Sequence, residues 1–131
     1  MTERIILLIA LFIAAGIFSY RHRKTKKNEY FKLPDKFSSS NSLPTVLYFW
    51  TEQCVQCNTS QKPALKSLKD KHGKFNLISI NALNEFELAS EFKIKTVPST
   101  VIFNAYGKSR FINSGYLNAD ELEKQINASL N

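Results

Sequence analysis

The stretch Phe49–Leu65 reads FWTEQCVQCNTSQKPAL and holds both cysteines of the chain, Cys54 and Cys57. The residues leading into it, Thr45–Trp50 (TVLYFW), form an unbroken run of β-branched and aromatic side chains. That composition predicts a strand buried on both faces. The residues that follow predict a helix from Cys54 to His72, with Gly73 as its stop. Ala64, Leu65 and Leu68 mark its apolar face, and Pro63 within it predicts a kink. The cysteine pair thus falls where a strand ends and a helix begins.

Three readings compete for such a pair. As a redox couple, Cys54 would sit near the free N–H groups and the positive end of the helix dipole. Both favour thiolate over thiol. That thiolate could attack a disulfide, and Cys57, one turn on, could attack the mixed disulfide and release the reduced partner. As a metal site, the pair would need two more ligands to make a structural zinc centre. The histidines available are His22, before the domain, and His72, at the far end of the helix. Gathering all four would break the pattern of elements, which leaves only transient binding of a soft ion by the two sulfurs. The third reading is two ordinary buried thiols.

Further along, Phe75–Asn81 predicts a second strand. Glu85–Phe92 predicts a short helix with Phe86, Ala89 and Phe92 on one face. Ser99–Asn104 and Ser109–Ser114 predict two strands joined by a tight turn at 105–108. Asn118–Leu130 predicts a last helix. Asn118 caps it, with Glu121 three residues on, and Leu122, Ile126 and Leu130 are its packing stripe. The order is β-α-β-α-β-β-α. Strands joined through a helix are expected to be parallel. The final pair is expected to be an antiparallel hairpin. The fold class is α/β, a mixed sheet with helices on both faces.

Charge divides the 131-residue chain unevenly. Residues 1–42 carry eight Lys/Arg against three Asp/Glu, and residues 43–131 carry ten against eight. The basic excess therefore belongs mostly to the N-terminal part. The main domain has no dense basic patch interleaved with aromatics, so nucleic acid is not an expected partner. Ile5–Tyr20 is free of charge, and Arg21–Lys27 holds five Lys/Arg. Sixteen helical residues span roughly 24 Å, and snorkelling Arg4 and Arg21 make up the shortfall against a core of about 30 Å. A cleaved signal peptide is the competing reading, with a small-x-small site at Ala14–Gly16. The weakly basic start, Met1–Arg4, and the strongly basic flank that follows favour a single-pass anchor. Basic flanks stay on the cytoplasmic side, so a cytoplasmic main domain is expected, with an exported one as the alternative. The expected division is an anchor at 1–22, a basic segment and polar tether at 23–43, and one domain at 44–131. The tether offers one short ordered piece around Tyr30–Leu33.

Taken together, TVLYFWTEQCVQC, the element order, Lys95-Thr96-Val97-Pro98-Ser99, the hairpin STVIFNAYGKSRF and Gly115 before a terminal helix resemble the thioredoxin family from Thr45 to Asn131. The resemblance implies a thioredoxin-like sheet of four to five strands. It makes Cys54 the attacking and Cys57 the resolving cysteine of a thiol–disulfide oxidoreductase. The chain is similar to membrane-anchored bacterial members, and the tether could supply a short first strand. The substrates implied are protein thiols and disulfides, with membrane lipid as the neighbour of the anchor. No dissociable cofactor or metal is implied, and a monomer is expected. Trp50 matches the family's tryptophan beside the active-site loop. Pro98 matches its cis-proline. Val97 would offer backbone hydrogen bonds to an extended substrate, and Gly115 matches a glycine on the same rim.

The chain also departs from the family pattern. Val55-Gln56 stands between the cysteines instead of Gly-Pro. Tyr48 takes the place of a buried aspartate, and Leu77 that of its lysine partner. Glu52 is then the nearest carboxylate in sequence for proton transfer. Pro63 comes one residue later than usual, which implies a local bulge in the helix. The expected function is reduction of protein disulfides. The rival from another class is a tethered scaffold module whose cysteines do not turn over.

Overall fold

The computed structural model describes residues 1–24 and 30–130, without the side chains of 22–24. The basic residues Lys26 and Lys27 and the start of the tether lie outside the described residues. Helix α1 covers Thr2–Lys24. Its apolar side chains are exposed, and Thr2–Arg21 is long and apolar enough to cross a membrane. A short 3-10 turn, Asp35–Phe37, precedes strand β1, Thr45–Trp50. A π-helical turn, Cys57–Gln61, runs straight into α2, Lys62–His72. Gly73 ends α2 in the left-handed region at φ 57°, where a side chain would be strained. Then come β2 (Asn76–Asn81), α3 (Phe86–Glu91), β3 (Ser99–Phe103), β4 (Ser109–Ser114) and α4 (Ala119–Ala128).

The sheet order is β2-β1-β3-β4. β1 pairs parallel with β2, and β3 pairs antiparallel with both β1 and β4. The expected parallel relation between β2 and β3, on either side of a helix, is therefore wrong. β3 sets off from the end of the sheet where β2 stopped: Phe49 of β1 pairs with Ile80, near the end of β2, and with Ser99, the first residue of β3. The tether supplies a single bridge, Lys32 to Lys108, rather than a full fifth strand.

Alternating side chains of β1 divide the core between two faces. Leu47 and Phe49 point to one, with Ile80, Val101, Phe103, Leu88, Ala89 and Phe92. Val46 and Tyr48 point to the other, with Ile102, Leu65, Leu68, Leu122, Ile126 and Cys57. Helix α3 thus covers one face and α2 and α4 the other. Two expected packing residues are not core. Phe86 is 69% exposed, because α3 buries Leu88 and Ala89 instead. Leu130 lies beyond the end of α4 and is exposed. The buried residue there is Ser129, whose hydroxyl donates to the Gln125 carbonyl at 2.8 Å.

Candidate active site

β1 ends at Trp50, and the chain turns at once. The Cys54 N–H donates to the Thr51 carbonyl at 3.2 Å, and helical structure starts at Val55. Cys54 is thereby the residue at the helix entrance. It is partly exposed, and Cys57 is fully buried. The two are joined as a disulfide with Cα atoms 5.2 Å apart, an ordinary separation for such a bridge. The Cys57 N–H points at the Cys54 sulfur, 3.1 Å away. An N–H donor so placed favours a thiolate on the sulfur it faces.

The implied bulge is the π turn. Lys62 N–H reaches back five residues to the Cys57 carbonyl, one more than in an α-helix. The segment just before Pro63 is thus widened where a proline ring would crowd a regular helix. The Cys57 carbonyl takes a second donor, the Tyr48 hydroxyl, at 2.9 Å. Tyr48 is buried among apolar side chains. Burial pushes its phenol up to about 12, so it stays protonated and donates. Parallel pairing sets Ser79, not Leu77, opposite Tyr48 in β2, while Leu77 lies opposite Val46. Neither residue is ionisable, and no carboxylate–lysine pair lies at these positions.

The other rim residues converge on the same end of the sheet. β1 and β3 pair Phe49 with Ser99, which puts Pro98 beside Trp50. The Val97–Pro98 peptide is cis. Val97, Trp50 and Cys54 all pack against the core cluster that contains Cys57. The Gly115 N–H donates to the Pro98 carbonyl at 2.8 Å. Gly115 has φ 90°, and an added Cβ would meet no atom within 4 Å. Backbone conformation, more than crowding, calls for glycine here. Glu52 is exposed, and its carbonyl accepts from the Asn58 side chain at 3.2 Å. None of its described contacts reaches either sulfur.

A family model for thioredoxin-like domains matches residues 35–129. The chain belongs to the thioredoxin-like family. Among solved structures, a mutant thioredoxin from Halobacterium salinarum is 21% identical, with TM-score 0.64, covering 72% of this chain and 80% of that one. A thioredoxin-like protein from Clostridium perfringens is 25% identical, with TM-score 0.57, covering 67% of this chain and 71% of that one. DsbF of MTB, solved in mixed oxidized and reduced forms, is 18% identical, with TM-score 0.58, covering 69% of this chain and 82% of that one. This thioredoxin-like fold, with a cysteine pair at disulfide distance at the strand-to-helix junction, supports a thiol–disulfide oxidoreductase.

One feature of the site escaped sequence reasoning. Gln61 is fully buried in the π turn. Its side-chain amide donates to the Leu117 carbonyl at 3.1 Å and accepts the Leu117 N–H at 3.0 Å. It ties the cysteine helix to the loop that carries Gly115. The late position of Pro63 was the signal for it, because an extra residue in a helix has to project somewhere. Beside Val97 opens a cleft of about 210 Å³, lined by Thr51, Ala82, Phe86 and Ile94 among others. The exposed Phe86 side chain therefore borders the rim.

Proposed function

We propose that this protein is a membrane-anchored thiol–disulfide oxidoreductase of bacterial type that reduces disulfides in partner proteins as a monomer. The observation that carries the reading is the contrast between the two sulfurs. Cys54 is partly exposed and receives the Cys57 N–H, and Cys57 is buried beneath it. In the reduced protein the Cys54 thiolate attacks one sulfur of a substrate disulfide and expels the other as a thiolate. The Cys57 thiolate then attacks the Cys54 sulfur and expels the second substrate thiolate. Two electrons pass to the substrate, and the Cys54–Cys57 disulfide remains. A dithiol donor restores the pair.

Val97, Pro98 and Gly115 form the docking rim, with Val97 offering backbone groups to an extended substrate segment and Trp50 flanking the sulfurs. Glu52, the nearest carboxylate in sequence and exposed, is the candidate for proton transfer at the pair. The basic flank after α1 favours a cytoplasmic domain, where reduction is the expected direction. An active alkaline phosphatase fused to the C-terminus in cells would overturn that orientation.

Reduction of insulin disulfides by the full chain in detergent tests the chemistry. The wild type should turn over, and Cys54→Ser should not. Cys57→Ser should accumulate a mixed disulfide with its partner. A wild-type rate equal to that of the double serine variant would leave the tethered scaffold as the reading.

A further inference from the structure

The chain that leads from α1 is fastened to one end of the domain. The Phe31 N–H donates to the Ser109 hydroxyl at 2.8 Å, and the Ser109 N–H donates to the Phe31 carbonyl at 3.0 Å. The Leu33 N–H donates to the Gly107 carbonyl at 2.8 Å, and Lys32 bridges to Lys108. The two backbone bonds are what make the Lys32–Lys108 bridge, and all three hydrogen bonds lie at the β3–β4 turn. The cysteines lie at the opposite end, because β1 runs from this pole toward Trp50 and Cys54. Six strand residues separate the poles by roughly 20 Å.

The turn pole also carries side chains suited to a bilayer surface. Tyr106 is 85% exposed and Tyr30 is 58% exposed. The Lys108 ammonium lies 5.7 Å from the Tyr30 ring. Lys32 is exposed, and its 3.7 Å pair with the equally exposed Asp35 is worth little in water. Tyrosine settles at headgroup level, and lysines there are attracted to anionic lipids.

Chain length limits the alternatives. Six peptide steps separate Lys24, the last residue of α1, from Tyr30. They reach at most about 21 Å when fully extended. Turning the cysteine pole onto the bilayer would lift Tyr30 by about the length of the sheet and use up most of the reach of that link, even with the helix beyond Arg21 adding about 5 Å.

Building on the membrane-anchor reading, we propose that Tyr30, Lys32, Tyr106 and Lys108 rest on anionic headgroups and that the Cys54–Cys57 pair opens away from the bilayer. The partner is then a water-soluble protein domain whose disulfide stands clear of the membrane. It is not a redox centre buried in the lipid.

Trp50 is the only tryptophan in the chain, and it sits beside the cysteines. It serves as a built-in energy donor to dansyl-headgroup lipid. The full chain is placed in nanodiscs of phosphatidylcholine and phosphatidylglycerol. Transfer should be weak from Trp50 and several-fold stronger in a Trp50→Phe, Tyr106→Trp chain. Adding Lys32→Glu and Lys108→Glu to the latter should lower its transfer. Equal or stronger transfer from Trp50 overturns the orientation. Unchanged transfer in the glutamate variant, or in discs of phosphatidylcholine alone, overturns the anionic contact. Release of the chain from membranes by alkaline carbonate overturns the anchor reading and this proposal together. A retained chain with strong Trp50 transfer overturns this proposal alone.

Discussion

Gln61 and Leu117 hold each other by two hydrogen bonds through the Gln61 side-chain amide, at 3.1 and 3.0 Å, across 56 residues of sequence. One partner lies in the cysteine helix and the other in the loop after β4. Gln61→Leu keeps the approximate volume but leaves the Leu117 N–H and carbonyl unmatched in a part-buried setting. The expected cost is about 2 kcal/mol, from groups losing partners away from water. Thermal unfolding of the full chain in detergent, followed by Trp50 fluorescence, measures it. An unchanged midpoint would remove this bridge from the account of the site.

The Tyr48 hydroxyl gives a pH signature. Its folded pKa of about 12 lies above the ordinary tyrosine value of 10.0 because burial disfavours the phenolate. The folded state keeps the proton longer than the unfolded state. Stability from this group is therefore fully present below pH 10 and is lost as pH rises toward 12, by roughly 2–3 kcal/mol. Tyr48→Phe should flatten that alkaline slope and cost about 1 kcal/mol at neutral pH, for the lost bond to the Cys57 carbonyl. It should leave the shape of the turnover profile between pH 6 and 9 unchanged, because the phenol does not titrate there. A shifted acidic limb would show that Tyr48 handles the proton of Cys57.

Gly115→Ala separates strain from obstruction. The added methyl meets nothing within 4 Å, but φ is 90°. The expected loss is about 1–2 kcal/mol of stability, from a conformation L-residues avoid. Unfolding midpoints in denaturant check the stability. Insulin reduction tests the rim. A large fall in rate with no loss of stability would mean that substrate occupies the open space.

Phe92 packs edge-on against Phe31, Phe49 and Phe103, with ring centroids 5.3–6.1 Å apart. Phe92→Ala should cost about 3–5 kcal/mol. It should also loosen Phe31 first, since that ring is only partly buried. Hydrogen exchange should show faster exchange at the N–H of Phe31 and Leu33 than at β1. Uniform loss of protection would instead mean that the tether is one cooperative unit with the sheet.

The strand β1, the helix after it and the hairpin were legible because each has a local signature: a β-branched run, a glycine stop, a short turn. The cysteine pair was legible for the same reason, since its place between strand and helix is a matter of spacing. The direction of β3 was not, because it depends on how the whole segment between β2 and β3 packs and no residue of β3 records it. Phe86 was misassigned because a helix of six residues has too few turns for periodicity to pick out its buried face. Nothing in Gln61 itself marked it, since glutamine is mostly exposed. Its burial depends on the π turn and on Leu117, which is remote in sequence.

The π turn has a consequence for the phase of the helix. In a regular helix, an extra residue rotates everything after it by about 100°. Here the surplus is taken up within Cys57–Gln61. Deleting one residue from 58–60 would let the helix close with ordinary four-residue bonds and bring Pro63 to the family's usual distance from Cys57. The cost would be the rotation of Gln61 away from Leu117. The insertion and the glutamine are therefore a matched pair, and changing one without the other leaves the rim loop untied from the resolving cysteine.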